Sequence, residues 1–244
     1  MDRPTQNAID SLPPTLILWD VDHTLIENGG VSKDTYALGF ELLVGRSPEV
    51  RPTTHGRTDF QIMRELFAAN SIDSDQYAIA DIRDALLKAM ETMAPQLPER
   101  GYALPGARET LKALAHNSRI IQSTLTGNIQ ENGRSKLAAF GLDNLVDLEV
   151  GGYGSDNIVR SKLVDAAREK VFRKYAVQFD EQSTVLIGDT PLDVKAAIDG
   201  GAQIIAVASG VHGIQELRES GARVALDNLR NLADVVSALT EVRG

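Results

Sequence analysis

The chain of 244 residues contains no cysteine. That excludes disulfides, thiolate metal sites and cysteine nucleophiles, and it suits a cytoplasmic protein. Positive charge is also scarce: 25 Lys and Arg face 34 Asp and Glu, for a formal net charge of −9. Nonspecific attraction to nucleic acid or to an anionic membrane is therefore not expected. If such a protein binds a phosphorylated ligand, the site must supply its own local cation. No apolar run approaches the roughly eighteen residues of a spanning helix. The opening MDRPTQNAIDSLPP is polar and proline-containing and lacks the apolar centre of a signal peptide. It reads as a short disordered lead-in.

What remains is an ordinary globular composition, 43% apolar and 24% charged. Short β-rich runs stand at Leu16–Trp19, Arg119–Thr124, Val185–Ile187, Ile204–Ala208 and Arg223–Leu226, with a further short one near Leu145–Val150. Helical patterns lie between and after them, at Ala107–Ala115, Glu131–Phe140, Ser161–Tyr175, Leu192–Ile198 and Leu229–Leu239. Strands alternating with helices at this spacing predict an α/β, doubly wound parallel sheet of Rossmann-like form. From Val31 to Pro98 the alternation stops, and only helical patterns appear, at Asp34–Val44, Asp59–Asn70 and Ser74–Met93. Gly29-Gly30 precede this block, and Pro95, Pro98 and Gly101 follow it, as at hinges or linkers. The economical reading is an all-helical insert at 29–100 after the first strand, in a core formed by 1–28 and 101–244. The alternative is that these helices cover one face of the sheet.

In an open parallel sheet, ligands bind outside the carboxyl ends of the strands, and four such ends carry polar residues. In LILWDVDHTL a buried strand ends in Asp20 and Asp22, which share one side if the chain stays extended. Either a cation such as Mg²⁺ compensates them or one takes a proton; the plain alternative is two solvated loop aspartates. Thr126-Gly127-Asn128 follow the strand RIIQS and form either a phosphate cradle or a simple helix N-cap. Asp189 and Asp193 follow VLIG, as metal-side carboxylates or as a cap and a first-turn acid. Arg160 and Lys162 in SDNIVRSK supply the missing cation or are merely solvated.

In combination these segments resemble the haloacid dehalogenase-like (HAD) hydrolase superfamily, and within it the phosphoglycolate-phosphatase-like branch. Asp20-Val-Asp22-His-Thr24 is similar to its first motif, DxDxT; Thr126 to the second; Gly188-Asp189-Thr-Pro-Leu-Asp193 to the fourth, GDxxxD. The helical insert stands where such members carry a small cap, and His55-Gly56-Arg57-Thr58-Asp59 resembles a cap segment near the substrate. The third motif departs: many relatives have lysine followed by proline, whereas here Arg160 is the first choice, Lys162 the second and Lys136 the third.

The resemblance implies a phosphatase acting on a small phosphorylated metabolite, with Mg²⁺ held by Asp20, the Asp22 carbonyl and Asp189. It makes Asp20 the nucleophile and Asp22 the general acid–base. Thr126, Gly127, Asn128 and Arg160 would hold the phosphoryl oxygens. Thr24 would brace Asp20, Asp193 would brace the metal side, and Arg57 would meet a second anionic group. His23 and His55 read as structural or substrate-contacting, His212 lies near the crevice without a role, and Trp19 reads as core. The competing readings are a phosphomutase of the same fold, similar to β-phosphoglucomutase, and a noncatalytic receiver-like phospho-acceptor module. A dehalogenase is disfavoured by Asp22 and Asp189.

Overall fold

The computed structural model describes residues 3–243. Its main sheet has six parallel strands in the order β5-β4-β1-β6-β7-β8: β1 Thr15–Trp19, β4 Ile120–Thr126, β5 Gly152–Tyr153, β6 Thr184–Gly188, β7 Gln203–Val207 and β8 Val224–Leu226. A separate two-stranded ribbon pairs β2, Ile26–Glu27, antiparallel with β3, Tyr102–Ala103. Every residue of β1 is buried, as expected of a central parallel strand covered on both faces.

Alternation along the strands splits the core in two. Ile17, Trp19, Val185, Ile187, Ile205 and Val207 face one layer, with α6 (Ala107–Leu114) and α11 (Leu232–Glu241). Leu16, Leu18, Leu186, Ile204 and Ala206 face the other, with α8 (Lys162–Tyr175) and α9 (Pro191–Asp199). Trp19 is core, as expected, with its indole N–H on Gln122 Oε1 at 3.2 Å. The doubly wound architecture read from the strand–helix alternation is present.

Three local expectations need correction. Residues 1 and 2 of the predicted lead-in lie outside the described residues, but Arg3–Ser11 form a helix, α1. Ile9 and Leu12 are buried in the first layer, and Asn117 Nδ2 donates to Ile9 O (2.8 Å) and Leu12 O (3.3 Å). A polar segment with two apolar anchors is thereby ordered by tertiary contacts. Leu145–Val150 is a turn: Asp147 donates its N–H to Gln122 O and accepts from Ser123 Oγ through its carbonyl. The edge strand forms at Gly152–Tyr153 instead. The short helix α10, Ile214–Glu219, had no counterpart in the predicted pattern.

Between the ribbon strands lies the helical block: α2 Val31–Val44, α3 Asp59–Ala69, α4 Ile79–Met93 and the short α5 Leu97–Arg100. It has its own apolar cluster, which includes Tyr36, Phe40, Phe60, Met63, Leu66, Phe67, Ile82 and Leu86. No sheet residue belongs to that cluster among the described residues; Ile129, at the start of α7 (Gln130–Ala139), is its contact with the rest of the chain. The two connections are packed tightly: a Cβ at Gly29 would stand 2.2 Å from Arg100 O, and one at Gly101 would stand 2.2 Å from Glu27 O.

Candidate active site

Asp20 leaves β1 still bound to its neighbour, donating its N–H to Ile187 O of β6 at 2.8 Å. Its carboxylate is buried and accepts from Arg160 Nη2 at 2.6 Å. Burial, then the nearby Asp193 carboxylate, pushes the Asp20 pKa up to about 7, against the pull of Arg160. Asp22 is treated in the opposite way. Burial raises its pKa, but Lys136 and the hydrogen bonds from Asn128 and Lys136 outweigh that and hold it at about 2. Lys136 Nζ reaches Asp22 Oδ2 at 2.7 Å, and Asn128 Nδ2 reaches the same oxygen at 2.9 Å. Asn28 Nδ2 donates to Asp22 Oδ1 at 2.7 Å.

The carboxyl ends of β4 and β6 supply the rest. Thr126 Oγ1 accepts from Asn128 Nδ2 at 2.7 Å, and Lys136 Nζ donates to Asn128 Oδ1 at 2.6 Å. Asp189 is buried, and burial with the Asp20 charge pushes its pKa well up. Asp193 closes the capping box of α9, taking the N–H (3.0 Å) and hydroxyl (2.6 Å) of Thr190. Its other oxygen pairs with Arg160. Asp20, Asp22, Thr126, Gly127, Asn128, Arg57, Arg160 and Asp189 line one pocket. The free space there is about 40 Å³, room for roughly three water molecules by the usual minimum per water.

The structure separates the cation candidates. Lys162 is exposed and pairs with Asp165 at 3.6 Å, whereas Arg160 reaches Asp20, Asp193 and Gly56 O. Lys136, ranked third, is almost fully buried at 1% exposure and sits against Asp22. Thr24, expected to brace Asp20, instead donates to Asp189 Oδ1 at 3.4 Å. Arg57 lines the pocket but holds Glu65 through Nε at 3.0 Å. His23 pairs with Glu27 at 2.9 Å and lies 6.5 Å, ring to ring, from His55. His55 is pushed below the usual histidine pKa by burial and by Lys33, His23, His212 and Arg57.

Pocket residues that went unread in the sequence include Asn28, Ser32 and Tyr36, whereas Asp59, in the segment expected near the substrate, does line the pocket. Beside them, a Cβ at Gly210 would fall 1.9 Å from Asp189 Oδ2, and Ser209 Oγ holds His23 O at 2.6 Å. The glycine ending the run AVASG was the available signal for that loop.

The residues fit a divalent cation. Oxygens of Asp20, Asp189 and Asp193 lie within 4.8 Å of one another. Among the described residues Arg160 is their one paired cation, so three ionised carboxylates leave two negative charges uncompensated. All the donors are hard oxygens, the Mg²⁺ preference. In the metal-free protein, stability is expected to fall as pH rises from about 4 to about 7. Over that range folded Asp20 and Asp189 retain protons that unfolded carboxylates have lost. Mg²⁺ at a hundredfold excess over its dissociation constant should raise Tm by about 5–10 °C at pH 8 and far less at pH 5, where the ligands are protonated. Thermal melts in Mg²⁺ and EDTA at the two pH values check this; equal shifts at both would remove these carboxylates from the metal site.

Residues 17–197 match the family model of haloacid dehalogenase-like hydrolases, and the chain belongs to that family. A phosphoglycolate phosphatase from Pseudomonas fluorescens is 26% identical over 231 residues, covering 90% of this chain and 78% of that protein. Phosphoglycolate phosphatase 1 of Pseudomonas aeruginosa is 27% identical over 243 residues, with 94% and 82% coverage. Among solved structures, a hydrolase from Pseudomonas syringae superposes with a TM-score of 0.65 at 20% identity, covering 94% of this chain and 99% of that one. CbbY from Rhodobacter sphaeroides, in complex with phosphate, gives 0.63 at 17% identity, with 89% and 95% coverage. At these identities the solved structures speak to the fold alone. No helix among the described residues is long and apolar enough to cross a membrane.

Proposed function

We propose that the protein is a Mg²⁺-dependent phosphatase that hydrolyses a small phosphate monoester through an aspartyl-phosphate on Asp20. The observation that carries this reading is the contrast between two neighbouring carboxylates in one pocket. Asp20 is held by Arg160, and Asp22 by Lys136 and Asn128, in environments that push their pKa values apart. Such divergence marks an assignment of different roles.

An Asp20 oxygen attacks phosphorus, and the bond to the leaving oxygen breaks as the new P–O bond forms. Arg160 keeps the Asp20 carboxylate aimed while Thr126, Gly127 and Asn128 receive the phosphoryl oxygens. The phosphate's negative charge, and the share of Lys136 that it draws, raise the Asp22 pKa. Asp22 thereby takes up a proton from solvent as the substrate binds and passes it to the leaving oxygen. Now ionised and again held by Lys136, it takes a proton from the water that cleaves the aspartyl-phosphate. Mg²⁺, held by Asp20, Asp189 and the Asp22 carbonyl, would supply the charge that lets an anionic carboxylate approach an anionic phosphate. Thr24 and Asp193 support Asp189 and Arg160 rather than touching the reacting atoms. Residues 29–100 serve as a cap over a core made of 1–28 and 101–244, and exclude bulk water from the pocket. Arg57, at the rim, faces the leaving group.

A second reading is a phosphomutase of the same fold. It shares the attack by Asp20 on phosphorus and differs in returning the phosphoryl group to a sugar instead of passing it to water. A panel of glycolate, sugar and nucleotide monophosphates assayed for phosphate release with Mg²⁺ decides between them. Release from the smallest esters, lost in EDTA, is the expected result. No release from any member would sink the proposal, and isomerised sugar phosphate in place of free phosphate would select the mutase.

A further inference from the structure

Asp59 is a buried acid with 1% exposure at the first position of α3, in the helical block. A first-turn acid normally serves its own helix, but here the capping bond comes from elsewhere: the Thr58 N–H is taken by Gln61 Oε1 at 3.1 Å. The Asp59 carboxylate leaves α3 altogether. Oδ2 accepts the N–H of Ile129 at 2.8 Å, and Oδ1 accepts the hydroxyl of Tyr36, on α2, at 2.6 Å.

Ile129 is the N-cap of α7, a position where an isoleucine has no oxygen to offer the free amides. The helix that follows Thr126-Gly127-Asn128 is thus capped in trans, by a side chain from the helical block. The backbone completes the clasp, because the Asp59 N–H donates to Gly127 O at 2.8 Å. Residue 59 therefore brackets the loop, holding the carbonyl of 127 and the amide of 129.

The seat for this clasp is built from glycine. A Cβ on Gly127 would stand 2.0 Å from Arg57 O, and one on Gly154 would stand 2.0 Å from Gly127 O and 3.4 Å from Thr58 Cβ. No side chain fits at Gly127 while residues 57–59 are seated, and none fits at Gly154 beside the Gly127 carbonyl.

We infer that Asp59 is a positioning residue that couples the seating of the helical block to the working shape of the Thr126–Asn128 loop, so that the loop is formed for phosphate only when the block is closed on it. The inference rests on the reading of that loop as the phosphate cradle. Burying this carboxylate raises its pKa to about 6, with Lys136 opposing, an outlay that a simple apolar contact between the two parts would not require.

The test compares wild type, Asp59→Ala and Asp59→Asn by amide hydrogen exchange and by titration with inorganic phosphate in Mg²⁺. Asp59→Ala should speed exchange of the Ile129 amide and of the first turn of α7 at least tenfold, with α8 and α9 unchanged. It should weaken phosphate binding at least fivefold and raise KM more than it lowers kcat. Asp59→Asn keeps a carbonyl oxygen for Ile129 and should restore each value to within about threefold. Unchanged exchange at Ile129, faster exchange spread evenly through the chain, unchanged phosphate affinity in the alanine variant, or no rescue by asparagine would each overturn the inference. Wild type that binds no phosphate would remove the proposed function instead, and the exchange comparison would still decide whether Asp59 holds the loop.

Discussion

Asp20→Asn should reduce phosphate release by at least about 10³-fold, the scale seen when a covalent nucleophile is removed, with the fold intact. Asparagine is nearly isosteric, and its carbonyl oxygen can still accept from Arg160, which reaches Asp20 Oδ1 at 2.6 Å. What it removes is the negative charge that burial and Asp193 penalise, raising the Asp20 pKa to about 7. The metal-free variant should therefore melt no lower than wild type at pH 8, and the stabilisation by Mg²⁺ should shrink. Loss of turnover with an unchanged or higher Tm separates a chemical role from a structural one. Near-wild-type turnover would end the assignment of Asp20 as nucleophile.

Arg160→Ala should damage both stability and activity. The guanidinium is buried and paired with Asp20 and Asp193, so its removal leaves two neighbouring carboxylates without their cation. Breaking a buried pair from one side costs about 3–5 kcal/mol, which for a protein of this size is a fall in Tm of roughly 6–20 °C. The loss should be smaller at pH 5, where Asp20 can accept a proton. Lys162→Ala should leave Tm and turnover within experimental error, since an exposed i,i+3 pair contributes little. Lys136→Ala should fall nearer to Arg160→Ala, because it strips Asp22 of its buried ammonium. Melting curves and steady-state rates for the three variants rank the cations, and an inert Arg160→Ala would hand the third motif to Lys136.

The difference between these lysines shows where sequence reading stops. Two strand ends were legible because apolar runs break sharply at Asp20 and Asp189, and the parallel order brings such ends to one edge of the sheet. Lys136 could be placed only third among the cations, because a lysine in an amphipathic helix normally points to water. Its partner Asp22 is 114 positions away, so only the tertiary structure shows that it is buried. Asp59 was legible as part of a segment near the substrate, but its bond to the helix it caps, 70 positions on, was not. The misread strand at Leu145–Val150 had the right alternation for a buried segment. Ladder hydrogen bonds, which composition does not report, go instead to Gly152–Tyr153.

The ribbon of β2 and β3 has a mechanical meaning. Both chain connections to the helical block run through it, paired Ile26 to Ala103 and Glu27 to Tyr102. A single tether would let the block swivel, whereas two strands bonded side by side resist torsion and yield mainly by flexing across their width. Gly29 lies against Arg100, whose Nη2 donates to Gly29 O at 2.8 Å, and Gly101 lies against Glu27, so the two connections are pinned to each other at one level of that ribbon. Asn28 sits on the same lever and donates to Asp22, and Asp22 itself bridges to Ile26. A tilt of the block would therefore act, through Asn28 and one short strand, on Asp22, the carboxylate proposed to move the protons.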